Sequence, residues 1–431
     1  MYIYIVFDEN YKGIIDSRNI ILEETKMNLQ FVKGTPIFTN INENLKQYNY
    51  LTENVETEVT IVGGGITGAI LGYYFVKKGI KTLILEKGRI GYGSTSSTTS
   101  LLQYELDDNA MELIEVIPKE NIETIYKLGL KALDEIEDII SEYGNKCDFK
   151  RRDTLLYTSK KLEIEEMKKE YEFRKNIGLD VDFISENDKR FDFDIKAGVY
   201  GINGGAEFDP YKYTHNLLEI SSNLGLKIYE NTEAIKVNYD DDLVTIETNY
   251  GYKVKSKIII VATGYNTKAF TDRNFGTKTT TYNIATKPLN EIVGWHKNVL
   301  IRDNCDPYNY LRTTKDNRII IGGEDERFEP DIFDESMANK KYNILENRLK
   351  SMFKNIKDIE IEYKYCGAFA STKDNIGFLG KDSKNEKLWY GLGYGANGIL
   401  FATLGGMFLS DLYLGKVHKE LELFNPNRFD N

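Results

Sequence analysis

The chain has 431 residues, enough for two or three domains with full cores, and a formal net charge of −11 that argues against nucleic acid or an anionic membrane as its main partner. Its three cysteines, Cys147, Cys305 and Cys366, are widely spaced and odd in number, which gives no disulfide framework and fits a reducing, cytoplasmic compartment. Three histidines without paired Cys/His spacing offer no zinc site, so no metal is expected.

Met1 to Lys26 lacks the basic, apolar and small-residue zones of a signal peptide. Met27 follows Glu23-Glu24, a pair that purine-rich codons resembling a ribosome-binding site can encode, so Met27 is the expected native start. An intact mass beginning at Met1, measured on protein from the native source, would overturn that reading. Phe31 to Thr57 is polar with scattered aromatics and is expected to wrap the unit that follows.

Val59–Val62 reads as a buried strand, and Ala69 to Lys78 as a helix ended by Gly79. Thr82 to Leu85 reads as a second strand with Glu86 at its tip. Between the first strand and the helix, Gly63, Gly65 and Gly68 stand in the spacing of a dinucleotide-binding fingerprint. Gly63 permits the tight turn, Gly65 clears a side chain where a pyrophosphate approaches, and Gly68 lets helix and strand pack closely. The helix N-terminus, with Ile66 and Thr67, faces the phosphates, and Glu86 is placed for ribose hydroxyls with Lys87 beside it. Gly91 to Ser100, including Gly93, Ser94, Thr95 and Ser96, is too small and polar to pack a core and suits a diphosphate.

Asn121 to Tyr143 and Leu162 to Asn176 have helical periodicity with charged opposite faces, as expected of an inserted domain. Ala206 to Pro210 opens another unit, and Pro210 lies near the start of a helix through Tyr213, Leu217 and Ile220. Lys227 to Tyr229, Ala234 to Val237, Val244 to Thr248 and Ile258 to Val261 read as strands, the last closed by Ala262-Thr263-Gly264. Thr279 to Thr286, Tyr308 to Arg312 and Arg318 to Ile321 read as the sheet of a second domain, followed by a helix over Tyr342 to Met352. Leu388 to Ser410 lacks charge, but Gly391, Gly393, Gly395 and Gly398 would leave backbone groups unpaired in lipid, so it reads as a loop and a buried helix rather than a membrane span. Nucleotide-domain motifs at both ends and in the middle mean that the domains are interleaved.

Several motifs act together here: Gly63-x-Gly65-x-x-Gly68, Glu86, Gly93-Ser94 and Ala262-Thr263-Gly264. Thr372-Lys373-Asp374 with Gly377 and Gly380, and Gly393 to Ile399, complete the set. The combination resembles the glycine oxidase, sarcosine oxidase and D-amino-acid oxidase family of FAD-dependent enzymes over roughly Glu56 to Arg428. The resemblance implies an α/β fold with a Rossmann-like FAD-binding domain interleaved with an α+β substrate domain built on a mostly antiparallel sheet. The expected segments are 1–55 as an N-terminal extension, 56–115, 196–275 and 365–431 for FAD, and 116–195 and 276–364 for substrate. FAD rather than NAD is the implied cofactor, bound by the residues above together with Gly395, Asn397, Gly398 and Ile399. A helix starting near Gly398 would point its N-terminus at the flavin pyrimidine end.

The resemblance also shows departures. Phe369 stands where glycine-oxidase-like members carry a carboxylate-binding arginine. Gly367, with Cys366 one place off, stands where sarcosine-oxidase-like members link flavin to cysteine, so non-covalent FAD is expected. Ile320 stands where relatives carry a lysine that aids reaction with oxygen, which leaves the electron acceptor open. The implied reaction is oxidation of a C–N bond of an amino acid or amine, a small-molecule substrate, by hydride transfer to flavin N5. The alternatives are a hydroxy-acid or polyol dehydrogenase, or a flavin-binding module without turnover. Tyr308, Tyr310 and Arg312 alternate and share one strand face. Tyr310 matches a substrate-contacting tyrosine of the family, and Arg312 is expected to replace the missing carboxylate clamp. Gln103, Tyr104 and Glu105 are expected in the pocket, with Glu105 attracting an amine.

Overall fold

The computed structural model describes residues 31–42, 45–186, 188–240, 242–328 and 334–430. The expected start at Met27 lies outside the described residues.

Three sheets build the molecule. The first has strands Phe378–Lys381, Leu388–Leu392, Ile258–Val261, Val59–Val62, Thr82–Leu85 and Lys227–Tyr229 side by side. All neighbours are parallel except the antiparallel edge Phe378–Lys381. Its central strands are buried at every residue and nearly all apolar because both faces are covered. Helices Ile66–Lys77, Pro210–Asn223 and Gly398–Tyr413 pack on one face. The other face meets a four-stranded sheet through Val244, Ile246 and Val254. Asp209 caps the Pro210 helix by accepting from the N–H groups of Tyr211 (3.0 Å) and Lys212 (2.9 Å).

The large sheet has ten strands, antiparallel except where Leu300–Asp303 runs parallel to Lys150–Thr158. Helix Glu335–Met352 covers one face, with Tyr342 and Leu345 packed on Tyr282, Ile284 and Ile321. The other face turns toward the parallel sheet.

The domain segments need correction. Ala197–Glu207 and Leu101–Gln103, expected in the nucleotide unit, pair within the large sheet. Strand Ile361–Ser371 also lies wholly in the large sheet, across the expected boundary at 365. Val32–Gly34, read as part of a wrapping extension, adds an edge strand to it, and Ile37 and Phe38 pack against Ala285, Ile320 and Tyr365. Leu388–Leu392, read as loop, is a fully buried strand, because its glycine allows Leu71 to approach closely. No helix among the described residues is long and apolar enough to cross a membrane.

Candidate functional site

A single cleft runs between the C-terminal ends of the parallel strands and the inner face of the large sheet. At one end, Gly63 takes φ +115°, and a Cβ there would lie 2.3 Å from the Ala262 carbonyl oxygen. Gly63, Gly65, Ile66 and Thr67 line the cleft. Gly68 lies beneath it as a spacer, since its Cβ would sit 1.9 Å from the Gly63 oxygen. Glu86 faces the cleft beside Lys87, and its two carboxylate oxygens accept from Gly64 N–H (2.6 Å) and Gly88 N–H (2.9 Å). Burial pushes its pKa up, and those two N–H donors pull it back.

Gly93, Ser94 and Thr95 line the middle of the cleft, and Thr95 Oγ1 accepts from Ile66 N–H at 2.9 Å. Ser96 turns away, donating its hydroxyl to the Gly93 carbonyl at 2.8 Å. Ala262, Thr263 and Gly264 form the opposite wall. The far end is the turn before the last helix. Gly395 takes φ +76°, and Gly393 packs so tightly on Gly398 that a Cβ would lie 2.1 Å from its carbonyl oxygen. Gly395, Gly398 and Ile399 line the cleft. Asn397 does not, because its Nδ2 donates to the Tyr104 carbonyl at 3.2 Å. Its Oδ1 is buried with no partner among the described residues. The residues fit a dinucleotide cofactor on this chain's own terms. The helices Ile66–Lys77 and Gly398–Tyr413 both open onto the cleft with no cap from the side chains of the residues before them, Gly65 and Asn397, and Gly93 and Gly264 leave open space where a side chain would stand.

Beyond that loop, the large sheet supplies a chamber of Thr281, Tyr308, Tyr310 and Phe369. Tyr310 Oη lies 2.8 Å from Thr281 Oγ1 and donates to Asn283 Oδ1 at 3.2 Å. Gly322 makes room for this arrangement, since a Cβ there would fall 2.4 Å from the Tyr310 ring. Arg302 pairs with Tyr310 across the strands and lines the cleft. Its Nη1 donates to the carbonyls of Leu106 (2.6 Å) and Asp107, and its Nη2 to Asn109 Oδ1 (3.1 Å). Asp107 also lines the cleft and accepts from Ala396 N–H at 3.1 Å. Burial raises its pKa to about 6 against the pull of Arg302.

Arg312 does not reach the chamber. It is 2% exposed, and its guanidinium donates to the carbonyls of Thr99, Thr313 (3.1 Å) and Phe208 (2.9 Å). Alternation put it on the correct face, but Phe38 covers that stretch of the face, 5.3 Å from the guanidinium. Glu105 is corrected too. It is buried against Arg174 (2.6 Å), whose guanidinium lies over the Tyr104 ring, whereas Gln103 lines the cleft. Cys366 points to the opposite face of the sheet, among Tyr342 and Ala338, and Gly367 packs on Ser97, so neither offers a thiol to the cleft. Ile320 is covered by Ile37 and Phe38.

Sequence reading missed Arg302, Asp107, Thr281 and the Thr232–Glu233–Ala234 rim. Arg302 lies in a four-residue strand with a charged second half, too short for a periodic signal.

A family model described as FAD dependent oxidoreductase matches residues 58–412. A Bacillus subtilis protein named for a Rieske 2Fe-2S iron–sulfur protein is 25% identical over 93% of this chain and 77% of its own length. Gamma-glutamylputrescine oxidoreductase of Escherichia coli is 22% identical over 86% of this chain and 87% of its own length. The crystal structure of glycine oxidase from Geobacillus kaustophilus superposes with a TM-score of 0.75 at 19% identity, covering 87% of this chain and 99% of that one.

Proposed function

This chain belongs to the family of FAD-dependent oxidoreductases, and from that premise we propose that it oxidises a C–N bond of an amino acid or amine. The Gly63–Thr67 turn would hold the diphosphate, Glu86 the ribose hydroxyls, and the Gly395–Ile399 turn the pyrimidine end of the ring. When bound, FAD supplies the hydride acceptor. The chain's own task is then to bind the substrate, orient its carbon and keep its nitrogen unprotonated.

The observation that carries this reading is the chamber of Tyr308, Tyr310, Thr281 and Phe369 at the far end of the same cleft. It is aromatic-walled and polar at one side, which suits an amine better than a macromolecule. Arg302 takes the carboxylate role that alternation had given to Arg312. Its Nη1 is tied to two carbonyls and its Nη2 to Asn109, its Nε–H makes no hydrogen bond among the described residues, and it stands opposite Tyr310. The glycine oxidase and gamma-glutamylputrescine oxidoreductase relatives agree with an amino-acid or amine substrate.

The test is anaerobic mixing of the FAD-loaded protein with amines, amino acids and hydroxy acids while the visible flavin absorbance is followed. An amine or amino acid is expected to bleach the flavin and yield the hydrolysed imine. Bleaching by hydroxy acids alone, or by nothing, would contradict the proposal.

A further inference from the structure

We propose that Tyr310, Thr281 and Asp325 form the path by which the substrate's ammonium proton leaves the cleft. This rests on the reading of the chamber as an amine-oxidising site. Hydride departs from the carbon of a neutral amine, whereas aliphatic amines arrive near neutral pH as ammonium ions. Once substrate and cofactor fill the cleft, a protein group must take that proton.

The backbone places Asp325 for this. Strand Ile319–Arg327 runs antiparallel to Thr277–Thr286 with Gly322 opposite Asn283 and Gly323 opposite Tyr282. Further along, Glu326 stands opposite Thr280 and Arg327 opposite Thr279. Glu324 and Asp325 therefore share the place opposite Thr281, a β-bulge in which Glu324 takes φ +59°. Strict alternation from Gly322 would have turned Asp325 toward helix Glu335–Met352. The extra residue turns it instead toward Thr281 and the cleft.

Tyr310 and Thr281 line the cleft, their hydroxyl oxygens are 2.8 Å apart, and the bulge sets Asp325 across from Thr281 in the neighbouring strand. Asp325 Oδ1 is buried with no partner among the described residues, while the residue as a whole is partly exposed, so the path opens to solvent at its far end. The charged and titratable groups around Asp325 are Glu324 beside it, Lys341 from the covering helix, and Tyr308, Tyr310 and Asp107 on the cleft side. Lys341 pairs with Glu326 at 2.7 Å and Glu324 at 3.5 Å. Burial raises the Asp325 pKa and Lys341 opposes it.

In the step, one N–H bond of the ammonium breaks and its proton goes to Tyr310 Oη. The Tyr310 hydroxyl, which rests donating to Asn283 Oδ1, turns its proton to Thr281 Oγ1 and passes it there, and the Thr281 hydroxyl turns to pass its own proton to an Asp325 oxygen. The substrate becomes a neutral amine and the carboxylate a carboxylic acid. Both hydroxyls are restored, and nothing is oxidised or reduced. Asp325 then releases the proton to water.

The FAD-loaded enzyme and its Asp325→Asn, Thr281→Val and Thr281→Ser variants are mixed anaerobically with glycine, sarcosine, L-proline and putrescine from about pH 6 to about pH 10, the range over which such amines lose their proton. With Asn or Val, flavin reduction is expected to fall about 10²-fold near neutral pH and to converge on the wild-type rate at the alkaline end, where the amine arrives neutral. The Ser variant keeps its hydroxyl and should keep the rate. A wild-type rate in Asp325→Asn at neutral pH, or a loss of the same factor at every pH, overturns the path. If none of the four probes bleaches the flavin, that failure belongs to the function proposal, and an infrared pH titration of holoenzyme carrying labelled tyrosine decides the path alone. Protonation of Asp325 should then shift a tyrosine band that Tyr310→Phe removes. Thr281→Val should abolish that shift while the Asp325 carboxyl band still titrates. A shift that survives in Thr281→Val overturns the path.

Discussion

Arg302 and Arg312 stand on neighbouring strands of one sheet, and what covers each of them separates their roles. Arg302 faces the cleft, whereas Arg312 is enclosed by Phe38 and three carbonyl oxygens, with Glu207 at 3.9 Å. Burial lowers the Arg312 pKa, and the Glu207 charge works against that shift. Removing the guanidinium leaves buried acceptors without a donor, so Arg312→Met should cost about 3 kcal/mol in urea unfolding. The FAD-loaded variant should keep its KM. A raised KM with full stability would restore Arg312 to the substrate. Glu105 carries the same lesson, because its carboxylate completes a buried cluster with Arg174 and Glu170. Residue type and strand parity name the face a side chain takes, but neither tells what lies on that face.

At the scale of elements, the central parallel strands were legible because each is a short, mostly apolar run that ends close to a glycine turn. Val59–Val62 and Ile258–Val261 stand where the sequence placed them. The long antiparallel strands were not. Lys150–Thr158 opens on four polar or charged residues, and Ala197–Glu207 is interrupted by glycine and asparagine, so neither shows a clean period of two. The glycines in these strands are functional spacers that sequence cannot tell from turn residues. Gly322 is the clearest, since a Cβ there would lie 2.2 Å from Asn283 Oδ1 and 2.4 Å from the Tyr310 ring. Gly322→Ala should push Tyr310 off its hydroxyl partners and slow flavin reduction by at least about tenfold, the equivalent of one lost hydrogen bond of about 1.4 kcal/mol. Bound FAD should be unaffected. A variant with the wild-type reduction rate would show that Tyr310 has no defined role.

Across the whole molecule, the chain crosses between the parallel sheet and the large sheet repeatedly, and the cleft is the seam those crossings leave open. The fingerprint turn and the last glycine loop are more than three hundred residues apart in sequence, yet both line it. Asp107 and Asn397 tie that loop to the segment after Leu101–Gln103 through Ala396 N–H and the Tyr104 carbonyl, joining the far end of the cofactor site to the substrate chamber. The interleaving was legible from motif order. The exact crossing points were not, because strands such as Leu101–Gln103 join the large sheet through backbone pairing that leaves little trace in side-chain pattern.

Hydrogen exchange of the apoprotein before and after addition of FAD tests the central claim most directly. One bound molecule should slow exchange together in the Gly63–Gly68 turn and in the Gly393–Ile399 loop. Protection confined to one of these segments, or absent from both, would contradict a single cofactor held from end to end of this cleft.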